Sequence, residues 1–286
     1  MTLYTVWFRI VCVTTLFAIG FLGVIYSPST EETSYLAVNF LAVGQGDAIF
    51  ITTPSGKQIL IDGGRDSRLL SSLRGHLSFF DRSVDLLIST HPDLDHIGGL
   101  IEFLPRYKVS NIIYTEAMGN SKESDSYHDL VVQETSNIFL ARKGQVVDMG
   151  DGVTITILSP TYDPSLLDSN AGSIVVLLEY GNTGFMLTGD APQAIENYLV
   201  DIFGDRLEAD VLKLGHHGSK TSTSQIFLDT VSPIYAIVSA GKNNTYGHPH
   251  EEVVERIEDS GAAILSTIEG EDVSFLSDGY QVWINK

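Results

Sequence analysis

The segment HPDLDH, residues 91–96, places His91, Asp93, Asp95 and His96 on one short turn. Two imidazoles and two carboxylates at that spacing make a ligand set for divalent cations: imidazole suits Zn, Mn or Fe, and carboxylates draw the site toward harder ions. His91 and Asp93 are spaced to serve one metal position, Asp95 and His96 a second. Helix capping accounts for one aspartate before a helix, but not for both histidines. Pro92 fixes φ, and Gly98–Gly99 read as the pivot into the next helix.

Three further polar clusters follow apolar runs. LTGD ends on Asp190, HHGS supplies His216, His217 and Ser219, and GHPH supplies His248 and His250. Adjacent side chains at a strand end cannot both enter one core, so at least one of His216 and His217 should face a cavity or solvent. His248 precedes a helix, whose N-terminal dipole disfavours extra positive charge; a neutral, ligating or proton-donating ring fits there. His250 is expected at the surface. Ser219 and the hydroxyls of KTSTS, with Lys220 beside them, could hold phosphate oxygens.

Composition narrows the chemistry. The chain has 286 residues, enough for one large domain or two small ones, and one cysteine, Cys12, so an intrachain disulfide or a cysteine-based zinc cluster is excluded. A formal charge of −19 repels polyanions overall, which counts against a broad nucleic-acid surface but not against a local, metal-bearing groove. Between Val6 and Tyr26 only Arg9 is charged, and the uncharged run Ile10–Tyr26 is 17 residues long, the lower limit for crossing a bilayer. Residues 1–30 are therefore expected to be a signal peptide or an N-terminal membrane anchor formed by a hydrophobic helix over 6–26. The rest of the chain is then expected in the periplasm or outside the cell, and SPSTEETS (27–34) reads as the linker.

The elements that position these clusters alternate. YLAVNFLAV, AIFITT, QILIDGG and VDLLIST read as strands, DSRLLSSLRGHLSFF and IGGLIEFLPRY as helices, and VSNIIYT as a strand. KESDSYHD reads as a loop and LVVQETSNIFLARKG as a helix. SIVVLLEYGNTGFMLTGD is a hairpin with its turn at Gly-Asn, and HEEVVERIEDSG is a helix closed by Gly261. Strand–helix alternation predicts an α/β (α+β) layered fold, with the polar clusters converging at strand ends.

The ordered motifs VGQGDAIFI, LIDGG, THPDLDHIGGL, SNAGSIVVLLEYG, FMLTGD, DVLKLGHHGSKTSTS and SAGKNNTYGHPHEEV resemble the metallo-β-lactamase superfamily, and within it the hydrolase domain of ComEC-type DNA-uptake proteins. The resemblance covers residues 35–286 and implies a four-layer αββα sandwich. It implies His91, Asp93, Asp95, His96, Asp190 and His216 as metal ligands, with Asp190 bridging two divalent ions, Zn or Mn. Asp62 would support the metal loop from behind, and Asp47 would lie close by. Asp95, His217, His248 and Ser219 are the candidate catalytic residues; one of His216, His217 or His248 would protonate the leaving group. Where the wider superfamily has a second loop histidine this chain has Asp93, and where it has a histidine before LTGD this chain has SNAGS, with Asn170 and Ser173. That leaves one metal position poorer in nitrogen and argues against β-lactam turnover.

The expected function is hydrolysis through a metal-bound hydroxide. The expected substrate is a phosphodiester, foremost a nucleic-acid strand such as single-stranded DNA. A phosphodiester of an envelope polymer, an ester or lactone, and a non-catalytic metal-binding envelope protein are the alternatives. No obligate protein partner is inferred.

Overall fold

The structure, a computed structural model, describes residues 35–285, so the anchor or signal expected over residues 1–30 lies outside the described residues. Among the described residues no helix is long and apolar enough to cross a membrane.

Among the described residues fifteen strands form two sheets. The first, of eight, has the order β15-β14-β1-β2-β3-β4-β5-β6. It comprises β1 (Leu36–Phe40), β2 (Ile49–Thr52), β3 (Gln58–Ile61), β4 (Ser83–Ser89), β5 (Lys108–Tyr114), β6 (Asn137–Leu140), β14 (Val273–Ser277) and β15 (Val282–Asn285). The second, of seven, has the order β13-β12-β11-β10-β9-β8-β7. Its strands are β7 (Val146–Gly150), β8 (Val153–Ser159), β9 (Val175–Tyr180), β10 (Thr183–Leu187), β11 (Val211–Lys213), β12 (Tyr235–Val238) and β13 (Ala263–Ser266).

Alternation along each strand sorts side chains between two cores. In β4, Leu86 and Ile88 enter a core shared with Phe185, Leu187, Val211 and Ile237 of the other sheet. Leu87, between them, turns outward onto Leu100 and Phe103. Burial on both faces explains why VDLLIST is a continuous apolar run. The outer face of the first sheet carries α1 (Arg68–Leu73), α2 (Leu94–Phe103) and α3 (Lys122–Gln133). That of the second carries α4 (Gln193–Phe203), α5 (Gln225–Val231) and α6 (Glu251–Ser260). The layers are thus αββα, as expected.

Strands β3, β4 and β5 run parallel, as do β10, β11 and β12. The loops leaving β1, β3, β4, β10, β11 and β12 therefore open on one edge of the sandwich, and these loops carry the polar clusters.

Three local expectations are corrected. KESDSYHD is helical: Lys122–Gln133 forms α3, with Ser121 Oγ accepting from the Ser124 N–H, while NIFL, assigned to a helix, forms β6. Polar residues dominate α3 because only Tyr127 and Val131 are buried in it, too few to show as a periodic stripe. Gly98 and Gly99 do not turn the chain into a helix; they lie within α2. A Cβ at Gly99 would come within 2.0 Å of the Gly63 carbonyl oxygen, so their smallness lets α2 settle against the loop after β3.

Candidate metal centre

The metal loop leaves β4 at Ser89, and Asp93 occupies the N-cap position of α2 without a side-chain capping bond. Its carboxylate, hydrogen-bonded by the Ser169 side chain, lies with Oδ2 3.7 Å from His91 Nε2. Asp190 follows β10 and is buried. The histidine pair follows β11, with φ of +49° at His216 and +57° at His217. This left-handed backbone resolves the strand-end problem: two successive rings are turned to the same side, which a strand would forbid.

Four imidazoles converge on Asp190. Nε2 of His91, His216 and His217 stands 3.7, 3.7 and 3.5 Å from its Oδ2, and Nε2 of His96 stands 3.4 Å from its Oδ1. His217 Nε2 is also 3.4 Å from Asp95 Oδ2. Three of the rings are hydrogen-bonded through Nδ1, and the fourth, His217, faces a carboxylate there without a hydrogen bond. His96 Nδ1 donates to Asp62 at 2.7 Å. The Thr90 hydroxyl donates to Asp62 at 2.6 Å, so at 3.0 Å it accepts from His91 Nδ1. His216 Nδ1 lies 3.3 Å from Thr221 Oγ1, and His217 Nδ1 lies 3.4 Å from Asp47 Oδ1.

With Nδ1 protonated in His91 and His96, Nε2 presents a lone pair toward Asp190. Nε2 of His91, His96 and His217 and Oδ1 of Asp190 are all buried without a hydrogen bond. Lone pairs facing a carboxylate in a dry site are unstable unless something positive, a proton or a metal ion, sits between them. Five carboxylates, those of Asp47, Asp62, Asp93, Asp95 and Asp190, crowd this site, and the Lys213 ammonium pairs with two of them, Asp47 and Asp190. The donor set of imidazole nitrogen and carboxylate oxygen suits a divalent cation. Ligand atoms of Asp47, His96, Asp190 and His217 all lie within 4.8 Å of one another.

The protonation of these groups reports the same field. Burial acts to lower His217, yet Asp190 and Asp47 prevail and raise it to about 9. His96 is likewise raised against burial by Asp190 and Asp62. At His91 burial, with the charge of neighbouring His96, outweighs Asp190 and takes the ring down to about 3. Burial works against Asp190, but His217, His96 and His91 hold its carboxyl well below the usual range. Asp93, less surrounded, is raised by burial.

The remaining candidates stand at the rim. His248 is buried, its ring 5.4 Å from that of His216, and Nδ1 has no hydrogen-bond partner. The Ser219 hydroxyl lies 3.0 Å from Thr221 Oγ1. His250 Nδ1 accepts from the Lys220 N–H at 3.2 Å. In the SNAGS loop, the Ser173 hydroxyl accepts from the Asp190 N–H at 3.3 Å, and Asn170 Oδ1 is buried without a partner.

Lys213 is absent from the sequence-derived site and Asp47 from its ligand set. Lys213, the last residue of β11, is fully buried on the face that Val211 turns toward the other sheet. Its Nζ is ion-paired with Asp47 and donates to the Gly189 carbonyl at 3.3 Å. It thus ties the loop after β1 to the loop that carries Asp190. The signal was present in DVLKLG: a lysine within an apolar central strand must have a buried partner. Asp47 reaches the metal loop because Gly46 has no side chain: a Cβ there would come within 1.9 Å of the Asp95 carbonyl oxygen.

A two-sheet αββα sandwich with an Asp/His cluster at one edge is a metallo-hydrolase architecture. The chain belongs to the metallo-beta-lactamase superfamily, whose family pattern matches residues 41–242. It is 32% identical over 247 residues to "ComE operon protein 3" of Bacillus subtilis (strain 168), a match covering 80% of this chain and 31% of that protein. It is 23% identical over 185 residues to "Exodeoxyribonuclease WalJ" of Streptococcus pneumoniae serotype 2, covering 63% of this chain and 65% of that one. Among solved structures, the metallo-beta-lactamase fold protein YhfI from Bacillus subtilis covers 88% of this chain and 100% of its own at a TM-score of 0.56 and 12% identity, a likeness of fold alone. The chain spans about a third of the length of the competence and recombination proteins it matches.

Proposed function

We propose that this hydrolase is a phosphodiesterase acting on nucleic-acid strands outside the cytoplasm, with two divalent ions, Zn or Mn, held around Asp190. The observation that carries this reading is the convergence of four imidazole Nε2 atoms on one buried carboxylate, each ring fixed from behind. His91 and Asp93 would hold one ion, Asp95, His96 and His216 or His217 the other, with Asp190 between. Ions bound there would supply Lewis-acid stabilisation of phosphoryl charge and a water acidic enough to react near neutral pH.

The chain's own residues supply the rest. Asp62, Thr90, Asp47 and Thr221 hold the four rings in place, so little reorganisation is needed on binding. His248, with Nδ1 unengaged and its ring outside the group facing Asp190, is lowered to about 4 by burial and the neighbouring histidines, so it would meet the leaving oxygen as a neutral ring donating its N–H. Ser219 and Lys220 flank the mouth and suit phosphate oxygens. Asp93 and Asn170, where the wider superfamily has histidine, make the site richer in oxygen, which favours Mn alongside Zn. The name of one relative, an exodeoxyribonuclease, supports a DNA strand as substrate. The uncharged run Ile10–Tyr26 supports export or membrane attachment.

Purified chain loaded with Mn or Zn should cleave bis-nitrophenyl phosphate and single-stranded DNA but not nitrocefin. Metal-loaded protein that cleaves no phosphodiester, or that turns over a lactone or nitrocefin instead, would overturn the reading.

A further inference from the structure

The edge opposite the metal centre has a surface of its own. Strand β1 begins there at Leu36, paired with Ser277 at the end of β14. The turns β2–β3, β9–β10 and β14–β15, and the approach to β4, meet on the same edge. The β9–β10 and β14–β15 turns touch through the Asn182 N–H and the Gly279 carbonyl at 2.7 Å. The Ser55 N–H of the β2–β3 turn donates to Asp151, between β7 and β8, at 2.7 Å.

Large apolar side chains stand out from this edge. Phe80, Tyr280 and Phe79, at 90%, 83% and 81% exposure, are the most exposed of the large apolar residues described. Phe79 and Phe80 stack edge to face at 5.0 Å, and Tyr35 lies against Trp283 at 5.3 Å. Exposed Lys57, Arg82 and Lys108 stand on the same turns, while neighbouring Asp81 is turned back onto Gln58 and Ser83. Acidic side chains share the edge, with Asp151 accepting from Ser55 and Asp278 from the Tyr280 and Gln281 N–H groups, but the exposed aromatic rings with Lys and Arg beside them match the composition of a membrane–water interface. A pair of phenylalanines left this exposed on a loop tip is costly in water.

The chain identifies the occupant. Tyr35 is where the described chain enters, and only the eight residues of SPSTEETS separate it from the uncharged run Ile10–Tyr26. Eight extended residues reach at most about 26–29 Å. If that run is held in a bilayer, the chain enters the domain on this edge, and the exposed rings, more than the linker's reach, favour it over the edge bearing the site as the one beside the lipid. We propose that the Phe79–Phe80, Tyr280 and Tyr35 edge lies on a phospholipid bilayer, holding the metal centre a strand's length away, about 20–25 Å, and facing the aqueous phase. This rests on the attachment reading of residues 6–26 and adds to it an orientation and a contact surface.

The test uses the full chain with Cys12→Ser, reconstituted with phosphatidylcholine–phosphatidylglycerol vesicles, and one environment-sensitive fluorophore at Ser78→Cys or at Lys242→Cys on the metal edge. Headgroup-nitroxide lipid should quench the Ser78 probe by about half and leave the Lys242 probe unchanged. A Phe79→Ser, Phe80→Ser, Tyr280→Ser variant should still float with vesicles and cleave phosphodiester, but lose most of that quenching. A chain that does not float would overturn attachment and orientation together. Flotation with equal quenching at both probes, or with quenching kept by the triple variant, would overturn the orientation while attachment stands. A Ser78 probe already blue-shifted without vesicles would show the apolar run folded onto this edge and would also overturn it.

Discussion

Asp62 accepts the Nδ1 hydrogen of His96 at 2.7 Å while His96 Nε2, on the far side of the ring, faces Asp190 at 3.4 Å. Asp62 also accepts from the Thr90 backbone and hydroxyl at 2.7 and 2.6 Å. One buried carboxylate thereby fixes the first residues of the metal loop and the tautomer of two of its histidines. Asp62→Asn keeps the size and loses the charge. It should weaken divalent-metal binding by about 10–100-fold, read by competition against a chromogenic chelator, with the circular dichroism spectrum unchanged. Metal affinity equal to wild type would remove Asp62 from the support of the site.

Asp190 is the group on which the four rings converge, so its loss should affect chemistry and metal content together. Asp190→Asn should lower phosphodiester turnover by on the order of a thousandfold or more, several kcal/mol of transition-state stabilisation. It should also lower the metal bound per chain, measured by elemental analysis of the folded variant. Wild-type metal content with wild-type turnover would refute the bridging role.

The layered fold and the edge on which the site opens could be read from the chain because both depend on short-range patterns. Apolar strands buried on both faces, such as VDLLIST, are legible as runs, and polar clusters just after them mark strand ends. The shared orientation of His216 and His217 was not legible, because it depends on two successive left-handed residues that neither histidine type nor spacing announces. The pairing of Lys213 with Asp47 joins residues 166 positions apart, on different sheets. A sequence shows that a buried lysine needs a partner, not which carboxylate supplies it. Helix α3 was missed for the opposite reason: it buries so little that local preference and its Ser121 cap, rather than a stripe, define it.

That Lys213–Asp47 pair should respond very differently to one change and to two. Lys213→Met leaves Asp47 buried without its cation and should cost about 3–5 kcal/mol, seen as a lower urea midpoint. Adding Asp47→Asn to Lys213→Met removes the stranded charge and should restore a good part of that loss. A double variant no more stable than the single would show that the pair does not act as a unit.

Glu196, on α4 and remote from the metal ligands, provides a pH response that can be isolated. Its buried carboxylate accepts from the Thr223 and Ser224 N–H groups at 2.6 and 2.7 Å, yet burial outweighs these bonds and raises it from 4.5 to about 7. Because the folded group holds its proton more tightly than the unfolded one, stability should fall as pH rises from about 4.5 through 7 and level off above. The full effect is at most about 3 kcal/mol. Other groups titrate across the same range. The raised His217 loses its stabilising contribution as pH climbs toward 9, and the depressed Asp190 loses its own only in acid. The comparison that isolates Glu196 is therefore between wild type and Glu196→Gln. The drop in urea midpoint from pH 5 to pH 8 should be smaller in the variant. Equal drops in both proteins would mean that the two backbone bonds already neutralise the cost of burying this charge.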